Sequence, residues 1–238
     1  MIYLVLSFDD ASKYIVKCAK LLEKYNLKGT FYLDTARMLK ELNAEDIRWI
    51  STWNEVGAHS VTHRDLTTLT YKELLFEVSN SKTIIEKIIE KPVESFAYPK
   101  GTFNKRVIEV VKHCGFKNAR TTRPFNVSTA ITNPYTVDVT FYTDSHAYRL
   151  LPKAIIKLRS TSLIIKPWII KKWNKLIISF LESIEHEDNV YVHILTHPDF
   201  IEYRGEWKVL EDLFARISTL SNVTNLTMSE FVNRVWTA

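Results

Sequence analysis

The chain has 238 residues, of which 46% are hydrophobic and 25% are charged, a balance that favours a folded core and excludes extensive disorder. Five glycines and seven prolines exclude a collagen-like or low-complexity chain, and two cysteines, Cys18 and Cys114, exclude a disulfide framework. The net charge is +5, but eight of the 32 basic residues and none of the 27 acidic residues lie between Arg149 and Lys175. The positive charge therefore belongs to one segment.

The first ten residues read MIYLVLSFDD. They have neither the basic start nor the small-residue cleavage site of a secretory signal peptide. Their apolar run is also too short to cross a bilayer. From these features we expect a cytoplasmic protein.

Short apolar stretches alternate along the chain with longer amphipathic ones. The stretches typical of strands are 2–8, 29–33, 55–59, 93–98, 117–122, 135–141, 189–195 and 223–227. The stretches typical of helices are 13–25, 71–89, 104–114, 168–184, 208–220 and a last one that begins at the capping-box pair Thr227 and Glu230. This alternation predicts a single α/β domain with a parallel sheet closed into a barrel. A doubly wound open sheet is the alternative, disfavoured because no glycine-rich phosphate loop follows the first strand.

The segment 145–175 interrupts the alternation and is predicted to be a basic, apolar helical insertion. It contains LIIKPWIIKKW, with Trp168 and Trp173. Two interpretations stay open: a solvated basic face, or contact of 149–175 with an anionic membrane or a lipid-linked glycan. A nucleic-acid partner is not expected, because the sequence has no recognised nucleic-acid-binding module.

Candidate functional residues follow or end five of the predicted strands. They are Asp9 and Asp10 after the first, His59 and His63 after the third, Tyr98 and Pro99 after the fourth, Arg120 in the fifth and His197 after the seventh. The carboxyl ends of the strands of a β/α barrel converge on one face, and that face holds the active site. We therefore expect these residues to meet in one cleft.

Two neighbouring carboxylates on an extended strand point in opposite directions, so Asp9 and Asp10 are expected to have different roles, one as metal ligand and one as base. The alternative is a helix N-cap at Asp10 or Ser12. The segment HSVTH can bring His59 and His63 to one metal if it forms a turn. With Asp10 they give three ligands and leave a fourth position for water, as in catalytic zinc sites.

The histidines of VHILTHPDF are expected to differ in role. His193 falls within the predicted strand and is interpreted as a core residue. His197 lies beyond the strand end, before Pro198, and is better placed for proton transfer.

The segments SFDD, KGTFYL, EVGAHSVTH, FAYPKG and ILTHPDF, in this order, resemble the motifs of the polysaccharide deacetylases of carbohydrate esterase family 4. The resemblance spans about residues 2–235, and its FAYPxG segment is similar to one branch of the family. It implies a distorted (β/α)7 barrel with Asp9 as catalytic base and His197 as general acid. It also implies a divalent metal on Asp10, His59 and His63, with zinc expected and cobalt, nickel or iron as alternatives.

Two motifs depart from the family pattern. Many members have Arg-x-Pro-Tyr where this chain has Ala97-Tyr98-Pro99-Lys100, so the arginine that holds the catalytic base is missing. We hypothesise that Arg120 supplies that charge, and that a backbone N–H in the Tyr98–Gly101 turn stabilises an oxyanion. Tyr98, Pro99 and Lys100 are the candidate substrate- or oxyanion-binding residues of this turn. The motif that pairs an aspartate with the catalytic histidine is not recognisable, which leaves Asp138 and Asp144 as candidate partners of His197.

The resemblance implies metal-dependent hydrolysis of the N-acetyl group of an amino sugar in a glycan, oligosaccharide or lipid-linked intermediate, with release of acetate. Two alternatives remain open: hydrolysis of another non-peptide C–N bond in a small molecule, and a degenerate protein that only binds glycans. Release of acetate distinguishes the deacetylase from both.

Overall fold

The structure, a computed structural model, describes residues 1–143 and 173–236. Its strands are β1 (Ile2–Asp9), β2 (Thr30–Leu33), β3 (Glu55–Ala58), β4 (Ser95–Ala97), β5 (Asn118–Arg120), β6 (Phe141–Tyr142), β7 (Val190–Thr196) and β8 (Val223–Leu226). Its α-helices are α1 (Ile15–Lys24), α2 (Thr35–Glu41), α3 (Ala44–Trp53), α4 (Tyr71–Ile89), α5 (Lys105–His113), α6 (Trp173–Ser183), α7 (Pro198–Tyr203), α8 (Trp207–Ile217) and α9 (Met228–Val235).

The strands form one parallel sheet in the order β5-β4-β3-β2-β1-β7-β6, with β8 added beside the start of β1. One edge of β1 pairs with β7 along Ile2–Phe8. The other edge is shared between β8, at Ile2–Val5, and β2, at Ser7–Asp9. Because every pairing between these strands is parallel, their carboxyl ends face the same way.

The segment 137–143 joins the two edges of the curled sheet. On one side, the Thr121 N–H donates to the Val137 carbonyl at 2.8 Å. On the other, the Thr140 N–H donates to the His193 carbonyl at 2.8 Å. The sheet therefore curls into the predicted distorted (β/α)7 barrel, in a single domain.

The predicted strand at 135–141 was wrong over most of its length. Residues Pro134–Thr136 form a single 3-10 turn, in which the Asn133 side chain accepts the N–H of Tyr135 at 2.9 Å. A proline that cannot donate and an asparagine that binds the local backbone favour a turn over a strand. Only Phe141 and Tyr142 of this region form the strand β6.

The longest predicted helix and the last capping box are confirmed. Helix α4 begins after Thr70, whose side chain and that of Glu73 form a reciprocal capping box, and α9 begins in the same way at Thr227 and Glu230. The start of α1 differs from the N-cap alternative. Its N-cap is Tyr14, without a side-chain capping bond, so neither Asp10 nor Ser12 is used in that way.

The predicted insertion at 145–175 lies outside the described residues except for its last three, which begin α6. Within residues 1–143 and 173–236, no helix combines the length and apolar character needed to cross a membrane.

Candidate active site

Asp9 and Asp10 lie where β1 ends and reach the same cleft from a bent backbone. Asp9 is the last strand residue and is buried, whereas Asp10 has a φ of 68° and a side chain that is 25% exposed. An extended strand would send the two carboxylates to opposite faces. The left-handed backbone at Asp10 removes that constraint, so Nε2 of His59 lies 3.9 Å from an oxygen of each aspartate.

His59 and His63 face Asp10 from the turn that follows β3. The Nδ1–H of His59 donates to the Ala97 carbonyl at 2.8 Å, which leaves Nε2 unprotonated and directed at the aspartates. Nε2 of His63 lies 3.6 Å from Oδ1 of Asp10. One ligand atom from each of Asp10, His59 and His63 lies within 4.8 Å of the others.

This donor set fits a divalent transition metal. Metal binding requires neutral imidazoles, and burial lowers the pKa of His59 to about 4, so its ring is neutral at neutral pH. The Ala97 carbonyl fixes the tautomer and the ring orientation of His59, as outer partners of metal-binding histidines do. Two imidazoles and one carboxylate suit zinc, cobalt, nickel or iron.

Asp9 is held by Arg120, which lies on β5 and is completely buried. Nη2 of Arg120 donates to Oδ2 of Asp9, and the guanidinium carbon lies 5.0 Å from the ring centre of Tyr32. Burial raises the pKa of Asp9, but the charges of Arg120, His59 and His197 more than offset this effect, so the pKa lies below its ordinary value. Oδ1 of Asp9 is buried and has no hydrogen-bond partner among the described residues.

His197 lies directly before α7 and is half-buried, with its ring centre 5.5 Å from that of Phe200. It is close enough to Asp9 for its charge to lower the pKa of that carboxyl. Among the described residues, no carboxylate hydrogen-bonds to its ring. Asp138 instead accepts from Thr121 and Arg123, at 2.5 and 2.8 Å, and Asp144 lies outside the described residues.

The turn after β4 buries the Tyr98 side chain and leaves one backbone N–H without an acceptor among the described residues. The Tyr98 side chain is buried, and its hydroxyl donates to the Tyr135 carbonyl at 3.0 Å. Pro99 is buried too, and the N–H of Gly101 donates back to the Tyr98 carbonyl. Lys100 is exposed and left-handed, with a φ of 58°, and its N–H has no acceptor in the part of the chain that the structure describes.

Asp34, which is buried at the end of β2, was not predicted from the sequence as a site residue. Its Oδ1 accepts the N–H of Ala11 at 2.8 Å and so fixes the turn that follows Asp10. Burial raises the pKa of Asp34. The charge of Asp10 raises this pKa further, whereas the charge of His63 lowers it. Its position directly after a strand is the signal that identified Asp9, and it could have identified Asp34 as well.

Asp65, which links the turn after β3 to the turn after β4, was not predicted from the sequence either. Its Oδ1 accepts from the backbone N–H of Thr67 and from the hydroxyl of Thr102, at 3.0 and 2.8 Å. The interpretation of His193 as a core residue matches its place in the structure. Its ring is fully buried, 2.7 Å from both the Ser7 and Tyr191 hydroxyls.

Comparisons with known proteins agree with this geometry. The polysaccharide deacetylase family model matches residues 2–119, a range that includes Asp9, Asp10, His59 and His63. A peptidoglycan-N-acetylmuramic acid deacetylase of Bacillus subtilis is 28% identical over 115 residues, which cover 47% of this chain and 43% of that protein. The chain spans less than half the length of the curated relatives it matches, at 34%, 44% and 43%.

Two solved structures share the fold over nearly the whole chain. The Xyl-CE4 domain of a multidomain xylanase, from the hindgut metagenome of Trinervitermes trinervoides, is 16% identical, covers 98% of this chain and 90% of that one, and has a TM-score of 0.60. A Bacillus anthracis protein described as a CE4 family pseudoenzyme is 17% identical, covers 97% and 65%, and also has a TM-score of 0.60. The chain belongs to the polysaccharide deacetylases of carbohydrate esterase family 4.

Proposed function

We propose that this chain is a metal-dependent deacetylase that hydrolyses the N-acetyl group of an amino sugar in a glycan, oligosaccharide or lipid-linked intermediate. One observation carries the proposal: a buried, arginine-held carboxylate, Asp9, lies beside a cluster of Asp10, His59 and His63 that fits a metal. Membership of the deacetylase family supports an N-acetylated glycan as the substrate class.

Asp10, His59 and His63 would hold the cation, with zinc as the expected ion and cobalt, nickel or iron as alternatives. When bound there, such a cation acts as a Lewis acid that polarises a carbonyl and lowers the pKa of water.

In this proposal Asp9 is the general base. Arg120 keeps its carboxylate ionised and occupies Oδ2, which leaves the unpartnered Oδ1 to accept the proton of the attacking water. The N–H of Lys100 is the backbone group available to donate to the developing oxyanion, because the neighbouring N–H groups of the turn already have acceptors.

His197 is the proposed general acid. As the C–N bond breaks, the sugar nitrogen takes a proton from the His197 ring, since an unprotonated amide nitrogen is a poor leaving group. The water oxygen forms the new bond to the acetyl carbon. The products are acetate and the free amino sugar.

The experiment is acetate release from a panel of N-acetylated oligosaccharides by zinc- or cobalt-loaded protein, beside a chelator-treated sample. Asp9→Asn is expected to bind metal normally but to lose activity at least about 100-fold, the scale of general-base catalysis. His63→Ala is expected to lose the metal as well. Asp188→Asn, an exposed change at the N-terminal ion pair, is the control.

Two other outcomes would replace the proposal. If no acetate is released but one metal binds per chain, hydrolysis of another non-peptide C–N bond in a small molecule becomes the better hypothesis. Without acetate or metal, the chain is better interpreted as a degenerate glycan-binding protein. The likeness to a CE4 family pseudoenzyme makes this second candidate worth testing.

We also propose, from the charge of residues 149–175, that this segment contacts an anionic membrane or a lipid-linked glycan. The test replaces Lys171, Lys172 and Lys175 by glutamine and measures partitioning onto anionic liposomes. Reduced partitioning is expected, and unchanged partitioning would refute the contact.

A further inference from the structure

Glu77 is a buried carboxylate in the apolar stripe of α4. The buried residues of this helix are Leu74, Glu77, Val78, Ser81, Ile85 and Ile89, which lie along one face. The side of a helix that packs on a core excludes charged groups unless they are paired or hydrogen-bonded. Glu77 is 3% exposed, so its carboxylate must have specific partners.

Those partners all lie in the turn between His59 and His63. Oε2 of Glu77 accepts the N–H of Val61 at 2.9 Å and that of Thr62 at 2.8 Å. Oε1 accepts the Thr62 hydroxyl. Among the described residues, no Lys, Arg or His nitrogen lies within salt-bridge distance of this carboxylate, which therefore serves the turn alone.

The turn is strained at both ends and depends on outside support. Ser60 and His63 are left-handed, with φ of 66° and 56°. A non-glycine residue in this conformation is strained, and it persists only where the surroundings hold it in place. The His63 N–H donates to the Ser60 hydroxyl at 3.0 Å, and Glu77 holds the two N–H groups between them.

We infer that Glu77 is a positioning residue for the metal centre. By holding Val61 and Thr62, it keeps the turn in the shape that brings Nε2 of His63 to within 3.6 Å of Asp10. This inference rests on the metal centre proposed above, but Glu77 itself does not touch the metal-binding atoms.

The test measures metal binding directly. Zinc affinity is determined by competition with a chromophoric chelator, and the visible spectrum of the cobalt-loaded protein reports the ligand geometry. Both are measured at a temperature where circular dichroism shows every variant folded. Glu77→Ala is expected to bind zinc about tenfold or more weakly, as for other outer supports of metal ligands, and to change the cobalt spectrum.

Two further variants separate positioning from general stability. Glu77→Gln should bind zinc within about threefold of wild type, because its amide oxygen can accept both N–H groups and its NH2 can donate to Thr62. Glu86→Ala is the matched control. Glu86 lies on the same helix and accepts the N–H of Val93 at 3.0 Å, away from the turn, so zinc affinity should not change.

The inference is overturned if Glu77→Ala keeps wild-type affinity and spectrum, or if Glu77→Gln binds as weakly as Glu77→Ala. If Glu77→Ala does not fold, Glu77→Asp, which withdraws the carboxylate by one methylene, takes its place with the same expected loss. Wild-type protein that binds neither zinc nor cobalt would overturn both the proposed function and this inference. Normal wild-type binding with an unaffected Glu77→Ala would overturn the inference alone.

Discussion

Arg120 on β5 donates to Oδ2 of Asp9 on β1, and both side chains are buried, with 0% and 2% exposed. Three strands, β4, β3 and β2, lie between β5 and β1 in the sheet, so the pair crosses the interior of the barrel. Nε of Arg120 and Oδ1 of Asp9 have no partner within the described residues. The arginine thus binds one carboxylate oxygen and leaves the other free to react.

Arg120→Ala should lower turnover far more than metal affinity, because Arg120 contacts Asp9 and none of the three candidate ligands. Arg120 lowers the pKa of Asp9, so its loss raises that pKa, and the base is then protonated at higher pH. The acid limb of the kcat/KM profile should move to higher pH, with turnover at least about tenfold lower on that limb. Kinetics from pH 4 to 8 and zinc affinity check this prediction.

The control for this variant is Arg123→Ala, which removes an arginine that is 57% exposed and pairs with Asp138. The acid limb of the kcat/KM profile of Arg123→Ala should stay at the same pH as in wild type. Equal losses of turnover and metal affinity in Arg120→Ala would contradict the assigned role.

Metal-free protein should lose stability as the pH falls from about 6.5 to 4. Burial lowers the pKa of His59 to about 4 and that of His193 well below its ordinary value. In this window the unfolded histidines bind protons and the folded ones do not, so the free energy of unfolding falls with falling pH. The slope is about 1.4 kcal/mol per pH unit for each histidine.

Urea unfolding of the metal-free protein at several pH values measures this slope. His193→Gln keeps hydrogen-bonding groups but cannot titrate. Its unfolding free energy should therefore depend on pH less steeply than that of wild type, by the contribution of one histidine, about 1.4 kcal/mol per pH unit. His113→Gln, at an exposed position, should keep the full slope. Identical slopes for His193→Gln and wild type would show that His193 does not contribute to the pH dependence of the unfolding free energy.

Gly57→Ala should disturb the site through Tyr32. A Cβ at Gly57 would lie 2.7 Å from the Tyr32 ring and 2.9 Å from the Ser95 carbonyl oxygen, closer than atoms pack. Tyr32 stacks on Arg120, so a shifted ring should displace the guanidinium from Asp9. We expect a loss of about 1–3 kcal/mol in unfolding free energy, typical of overpacking, together with reduced turnover.

Gly29→Ala is the comparison for Gly57→Ala. Its Cβ would meet the Leu22 and Phe8 side chains at 2.8 Å, in the packing between sheet and helix. It should cost similar stability but keep turnover per folded molecule. Equal loss of turnover in the two variants would show that Gly57→Ala acts through overpacking in general and not through displacement of Arg120.

Arg37→Met should lower kcat and leave zinc affinity unchanged. Arg37 on α2 binds both oxygens of Asp199 on α7, at 2.7 and 3.1 Å, and so fixes the start of the helix that His197 precedes. Releasing this clamp should displace His197, the proposed general acid, and lower kcat several-fold, since small displacements of reacting groups are costly. Arg216→Met, which breaks a surface pair with Glu182, should not change kcat.

The fold could be predicted from the sequence wherever local pattern and packing agree. Helix α4 has its predicted bounds because a capping box starts it and an apolar stripe buries it. Three helices were missed. The patterns of α2 and α7, which are seven and six residues long, are too brief to separate from loops, and the ten-residue α3 was not predicted either. The predicted strand at 135–141 failed because a local proline and asparagine turn outweighed its apolar alternation.

The meeting of Asp9, Asp10, His59 and His63 could be predicted, because strand ends converge whatever the details of the loops. The backbone angles that direct these side chains into the cleft could not be predicted. Asp10 and His63 are left-handed without being glycine, which no local pattern signals. The support from Glu77 and Asp34 depends on contacts between distant segments, although a charged residue in an apolar helical stripe was a visible sign.

Strand β1 carries Asp9, the proposed catalytic base, yet its main partner, β7, is synthesised much later. Ser7 on β1 and His193 on β7 meet across 186 residues of sequence. A nascent chain can therefore expose β1, a largely apolar strand, until β7 has been synthesised. Contacts so distant in sequence slow folding. Chaperone dependence during translation, more than thermal stability of the finished barrel, is then expected to limit the yield of active protein.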